Sequence, residues 1–367
     1  MQIQGQPKKI VVPKYKSKDT NGFYTELRSR VDLYFQQNGV SKKGTAEIVV
    51  KTFFILILYV WSYWMMLHHW SSLLINLLFG ILFGVTNVLI VFNISHDAAH
   101  NALFKSRKLN HFLSYTFNLV GANAYLWNIT HNQIHHSFPN VGDYDGDIHQ
   151  QAPFIRISPT VRKRWYHRFQ PYYATFLYMI YSLFLIYQKD YQDLNILPKK
   201  DSRLLINKKH PLEQYFIFFF SKAIYSIITI VIPFLVINIV WWKFLIGFFI
   251  VHFFMSTFLA TVLIPVHMVD EAPFAVEMDH TIDESWVVHV FENTTDYARN
   301  SKAANLFFGG QNTHLVHHLL PDICHVHHIR LSAIIEQTAK EFGYKYRTVT
   351  MKQALASHYR LLKRMSR

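Results

Sequence analysis

Charge is what this chain has least of. Asp, Glu, Lys and Arg make up 16% of its 367 residues against 51% apolar, low for a soluble globular domain. The deficit is concentrated. No charged residue occurs between Lys51 and Asp97, between Lys222 and Lys243, or between Lys243 and Asp270. A bilayer needs about 20 apolar residues per helix. The first gap therefore holds two spans around a tight turn at residues 68–72, and the other two hold one each. The expected fold is an all-α membrane protein of four transmembrane helices in two hairpins, at about 48–67, 73–94, 215–240 and 244–267. Cysteine is nearly absent too. Cys324 stands alone, which excludes an internal disulfide and a cysteine-held iron–sulfur cluster. Internal repeats and low-complexity tracts are missing. About fifty largely polar residues precede the first apolar run, so no signal peptide is expected. No basic region is interleaved with a nucleic-acid-binding motif, and nucleic acid is not an expected partner.

The charge that remains is basic, with a formal net of +14. Lys8, Lys9, Lys14, Lys16, Lys18, Arg28, Arg30, Lys42 and Lys43 crowd the N-terminal arm, while the hairpin tips carry almost none. The positive-inside rule then puts the arm, the middle segment and the C-terminal tail in the cytoplasm. Anionic lipid facing these loops accounts for the net charge. The arm, residues 1–45, reads as disordered to about residue 20. An amphipathic helix follows from Asn21 to Asn38, with Phe23, Leu27, Val31, Leu33 and Phe35 apolar and Gly39 ending it. Residues 46–367 form one domain, with the spans and a cytoplasmic helical cap from 95–214 and 268–367. Within the cap, the stretch from Leu109 to Gly142 is too polar for a lipid-facing span and lies at the interface or over the site. Tyr172 to Tyr187 is an interfacial or buried helix, and Gln188 to Pro211 a polar linker. Pro233 and Pro265 are candidate kinks.

Histidine is abundant instead, at 22 residues. Eight fall in three tight clusters: His96 and His100; His131, His135 and His136; His314, His317 and His318. A helix puts i, i+3 and i+4 on one face, and neutral imidazole ligates iron and zinc alike. Core packing is a poor account of such density, because each buried imidazole needs hydrogen-bond partners. All three clusters fall on the cytoplasmic side. Without a cysteine ligand, and in a redox setting, iron is favoured over zinc. His267, at the cytoplasmic end of the fourth span, is a further candidate, since ionisable residues there are functional by default. His252, in mid-span, fits an interhelical hydrogen bond better. His68 and His69 belong to the outer turn. His325, His327 and His328 fit supporting or surface roles, and His289 stays open. Asp97 and Asn312 are candidates to orient ligand imidazoles; for Asp143, Asp145 and Asp147 a solvated turn is favoured over supporting the ligands or contacting a substrate headgroup.

These clusters resemble the membrane fatty acid desaturase family, and its bacterial linoleoyl-CoA desaturase-like branch in particular. The resemblance is carried by the segments at 92–100, 125–136, 266–274 and 285–295, then by Gly309 to His328 and Ser357 to Arg360. It implies a cytoplasmic cap holding a histidine-rich di-iron site that uses O2 and two electrons to place a double bond in an acyl chain. By position the ligands would be His96, His100, His131, His135, His136, His267, His317 and His318, with His314 also at a box position. The third box opens with His314, where front-end members of the branch usually have Gln. Ile264 stands where many relatives have a polar residue. No His-Pro-Gly-Gly haem motif occurs, so the resemblance implies a separate donor, ferredoxin or a cytochrome b5-like protein. Arg162, Lys163, Arg164, Lys363 and Arg364 are its candidate contacts. The implied substrate is acyl-CoA or acyl-lipid and the implied setting a bacterial inner membrane. Two rivals remain open: a related di-iron hydroxylase or ketolase, and a non-enzymatic membrane metal-binding protein. The latter would need ionisable groups inside the spans, where His252 alone is expected.

Overall fold

The computed structural model describes residues 13–17, 21–68, 72–142, 144–146, 153–200, 209–272 and 281–367. Expectations on His69, Asp143, Asp147 and most of residues 1–20 lie outside them. Four helices are long and apolar enough to cross a membrane: Ala46–Leu67, Leu73–Ala99, Leu212–Ile237 and Trp241–His267. They form the two hairpins that the charge gaps predict. Asn76 closes the first hairpin by donating its amide to Met66 O (2.8 Å) and His68 O (3.0 Å).

The second and fourth spans pack closely because glycine removes the side chain between them. A Cβ on Gly84 would lie 2.9 Å from Val251 Cγ1. The third span is the most lipid-exposed, with 17% of its apolar window buried against 50% for the fourth. A wide π-type turn at Ile227–Val231 precedes Pro233 and bends it. Asn238, at φ 50°, ends it in the left-handed region.

The spans hold more ionisable groups than expected. Lys222 is buried in the third span and donates to Asp190 Oδ2 (2.7 Å), Gly121 O (2.5 Å) and Ile186 O (2.7 Å). Lys51, in the first turns of the first span, reaches Leu306 O (3.0 Å) and His325 Nε2 (2.7 Å). Both ammonium groups are matched to oxygen or imidazole partners, as burial of a charge requires. His252 makes the expected interhelical bond, its Nδ1 2.9 Å from Ser182 Oγ.

Three local readings are corrected. Leu33 is 49% exposed, because Leu27, Val31 and Phe35 follow the i+4 face and Leu33 lies between its steps. Lys14–Tyr15 is ordered as a short strand, parallel to Thr281–Ile282. The expected linker after Gln188 starts as a helix, Asp190–Lys200, with Asp190 and Asp193 buried.

The N-terminal helix, Phe23–Asn38, sinks Phe23, Leu27 and Val31 into the same core as Val290, Leu319 and Ile335. A second short pairing, Asp296–Tyr297 with Thr348–Val349, ties the C-terminal segment to the third histidine cluster. The last helix, Met351–Ser366, packs Leu361, Leu362 and Met365 beside Ala260 and Ile264 of the fourth span. The cap is thereby anchored on the C-terminal end of that span.

Candidate metal centre

Each histidine cluster is set by an irregular piece of helix. The second span widens into a π-type turn at Val91–Ser95 just before His96. The second cluster lies on another such turn, Asn128–His135, where His136 N donates to His131 O across five residues (3.0 Å). The third sits on the short helix His314–Leu319. Asp296 caps that helix by accepting Leu315 N–H (2.8 Å). Burial pushes the Asp296 carboxyl up to about 6. Gly309, at φ +57°, lets this segment pass against the second span. A Cβ there would collide with Phe92 O.

The nine expected histidines converge, and they divide into two groups. The potential ligand nitrogens of His96, His100, His131 and His317 lie within 4.8 Å of one another. Those of His135, His267, His314 and His318 do the same. The division cuts across the boxes: His131 and His135 fall in different groups although their rings stack at 5.0 Å, and so do the neighbours His317 and His318. His136 belongs to neither quartet and stands between them. Its Nε2 is 2.8 Å from His317 Nε2, and its ring stacks on His318 at 4.5 Å. His267 Nε2 and His318 Nε2 approach to 3.0 Å.

This arrangement fits metal ions better than it fits packing. Nε2 of His96 and His100, and Nδ1 of His136, His314 and His318, are buried with no hydrogen-bond partner among the described residues. Each such orphan costs about 1–3 kcal/mol. Burial and then the neighbouring imidazoles hold His100, His131, His136, His314, His317 and His318 well below the usual histidine range. All six are therefore neutral at pH 7, the form in which imidazole offers a lone pair.

The supporting bonds were only partly legible. His135 Nδ1–H donates to Asp145 Oδ2 (2.9 Å), and Asp145 is fully buried. The solvated-turn reading of Asp145 is wrong, because the turn folds under the site. His267 Nδ1–H donates to Asn293 O (2.8 Å). Asp97 touches His96 only loosely (3.4 Å) and takes its short bond from His325 Nδ1–H (2.6 Å). His325 in turn accepts from Lys51. Asp97, Cys324 and His325 form a third close grouping, which this hydrogen bonding accounts for. The Asn312 amide donates to Ala298 O (3.4 Å) rather than to a histidine. Trp286 Nε1–H donates to His136 O (3.0 Å). His289 faces Glu284 (2.9 Å) and Pro139 O (2.6 Å). A buried acceptor paired with an imidazole is a tertiary event, and no spacing in the sequence announces Asp145 or Asn293.

Beneath the histidines an apolar cavity of about 1350 Å³, open mouth included, runs into the membrane domain. His96, His131, His135, His267 and His314 form its roof. Phe92, Leu185, Leu259 and Leu263 are among the apolar side chains that line it. On the cap side a separate, more open cleft bordered by Arg28, Trp286 and Asp322 reaches His100, His136 and His318.

A histidine roof over a lipid-like cavity, carried on four spans, is the signature of one class of membrane oxidoreductase. The family model for fatty acid desaturases matches residues 68–350, and the chain belongs to that family. It is a membrane fatty acyl desaturase. Among known proteins it is similar to the sn-1 linoleoyl-lipid 6-desaturase of Arthrospira platensis, at 30% identity over 94% of this chain and 93% of that one. The enzyme of the same name from Synechocystis sp. is 28% identical over 98% and 99%. The acyl-lipid (8-3)-desaturase of Physcomitrium patens is 30% identical over 96% of this chain and 73% of its own length.

Proposed function

We propose that the chain uses two irons to desaturate acyl chains carried on membrane lipids, with O2 as oxidant. His96, His100, His131 and His317 would hold one iron and His135, His267, His314 and His318 the other, with His136 a further donor between them. The observation that carries this reading is the shared wall: five of these nine histidines face the same apolar cavity. When bound, the iron pair supplies reaction of O2 with two electrons and two protons, taking two hydrogens from adjacent carbons and releasing two waters. The chain's own residues do the rest. Asp145 and the Asn293 carbonyl fix the tautomer and orientation of His135 and His267. The Asp97–His325 pair stiffens the turn that bears His96. The apolar lining binds the acyl chain and keeps water from the reacting carbons.

A lipid-linked substrate, rather than acyl-CoA, is supported by the relatives' names, which specify acyl lipids. The cavity's entry into the membrane domain agrees with a substrate drawn from the bilayer. Electrons come from a separate ferredoxin or cytochrome b5-like protein, since Cys324 is the single cysteine and is buried. That donor docks on the basic cytoplasmic face, where Arg162, Lys163, Arg164, Lys363 and Arg364 are exposed. The termini and site face the cytoplasm of a bacterial inner membrane. Expression in a host of defined lipid composition tests the reading. New double bonds in intact membrane lipids, with about two irons per chain, are expected. Hydroxylated products, or new bonds confined to acyl-CoA, would overturn it.

A further inference from the structure

We propose that the acyl cavity continues past Met255 into a second cavity in the opposite half of the membrane. Met255 is then the movable divider that sets how long a chain the enzyme accepts beyond the new double bond. The inference rests on reading the cavity beneath the histidines as the acyl site.

The second cavity lies between the second, third and fourth spans and extends from Met255 to Lys243. Met255 is the one residue that lines both cavities. The two helices that flank them change compartment at the same depth. On the second span the outer lining stops at Asn87 and the inner lining starts at Val91, one turn on. On the fourth span both linings meet at Met255. The spaces are therefore in line, with one side-chain layer between them.

That layer has a fixed part and a soft part. Ser182 Oγ lies 2.9 Å from His252 Nδ1 and 2.7 Å from Ser256 Oγ. These bonds clamp the short helix Tyr181–Phe184 to the fourth span. Met255 itself is 4% exposed and packs with Val88, Tyr225 and Leu259. Its unbranched side chain has three rotatable bonds and can swing without disturbing the clamp. The occupant is hydrocarbon. The amide groups of Asn76 and Asn87 already donate to Met66 O and Phe83 O, and the rest of the lining up to Lys243 is mainly apolar.

Helix rise gives the scale. From His267 to Met255 is twelve residues, about 18 Å at 1.5 Å each. An extended chain of ~1.5 Å carbon–carbon bonds at the tetrahedral angle advances about 1.25 Å per carbon, so about 14 carbons reach the divider. The outer cavity, from Met255 to Lys243, adds a similar length.

The test feeds saturated and unsaturated fatty acids of 16, 18, 20 and 22 carbons to an expressing host and profiles the products. Met255→Ala should raise the share of the longest products tenfold or more relative to wild type. Met255→Phe should cut those same products by a similar factor while the shortest persist. Gly247 lines the outer cavity, and a Cβ there meets nothing within 4 Å. Gly247→Leu in the Met255→Ala background should reverse the gain. All variants are checked for membrane insertion and monodispersity, and the opposite sign expected for Met255→Phe keeps the test decisive if Met255→Ala misfolds. Unchanged profiles in folded Met255 variants of an active enzyme overturn the divider. A wild-type chain that desaturates nothing overturns the underlying functional reading instead.

Discussion

His96, His100, His131 and His317 draw on three chain segments of the cap side, and their support is ionic. Asp97 is held by His325, which Lys51 reaches from the first span. His135, His267, His314 and His318 draw on the fourth span as well, and their support is a carboxylate from a turn and a backbone carbonyl. His100 alone among the eight is not fully buried, and it faces the open cleft on the cap side. His318 of the second group borders the same cleft, and that group contributes three members to the cavity roof against two from the first. Both groups thus reach both spaces, the second with the larger share of the cavity roof and the first with the more exposed ring at the cleft. Solvent-side access through His100 favours the first group. Contact with substrate carbons favours the second.

Removing one ligand from each group should break the comparison most sharply. We expect His100→Ala and His135→Ala each to abolish desaturation, beyond the roughly 100-fold loss typical of outer-shell changes. Each should retain about one iron per chain if the groups bind independently. Iron analysis of both variants, with product profiling, decides the point. Loss of both irons from either substitution would show one coupled centre.

A smaller effect should separate the supports. Asp145→Asn leaves His135 without its carboxylate and should weaken one iron about 10–100-fold. Asp97→Asn should weaken the other, because His325 loses its partner. Chelator titration followed by spectroscopy of the remaining iron would report which site empties first. The same site emptying in both variants would erase the distinction.

Acid should also act unequally. His358 Nδ1–H donates to Met268 O (2.7 Å), beside His267, and its Nε2 faces Tyr178 OH (3.1 Å). Burial lowers its pKa to about 4. The unfolded chain takes up this proton near 6.5 and the folded chain only near 4. The stabilisation is therefore complete above 6.5 and is lost as pH falls from 6.5 to 4, by about 3 kcal/mol. Thermal unfolding of metal-free protein across that range should show the loss, and His358→Gln should flatten it. At the bottom of the scale, His111 is exposed and outside both groups. His111→Ala should change stability by no more than about 0.5 kcal/mol and leave activity at the wild-type level.

The spans were legible because hydrocarbon excludes charge, and gaps in charge mark their lengths directly. The clusters were legible because, even among 22 histidines, eight in three knots stand out. What the spacing could not carry was the partition. An i, i+4 pair reads as one face, and the rings of His131 and His135 do stack at 5.0 Å, yet they join different groups. Which group a ring joins depends on what packs around it. Asp145 was misread for a similar reason, since three acidic residues in a polar stretch look solvated, and only the fold shows Asp145 buried. Lys222 was passed over because one cation at the edge of an apolar run reads as its boundary. Its burial becomes visible only with Asp190, 32 positions away.

His267 ends the fourth span, while His96 continues the second and His314 to His318 come some fifty residues after the last crossing. Neither quartet is complete until the C-terminal segment has emerged and docked. If the quartets hold the proposed irons, neither iron can be captured during synthesis of the first hairpin. Metal loading would then be the final checkpoint of biogenesis, at which both hairpins must already be threaded with the correct topology. A chain with one hairpin misinserted would leave its histidines on opposite sides of the bilayer, and quality control could recognise it simply as a protein that never acquires metal.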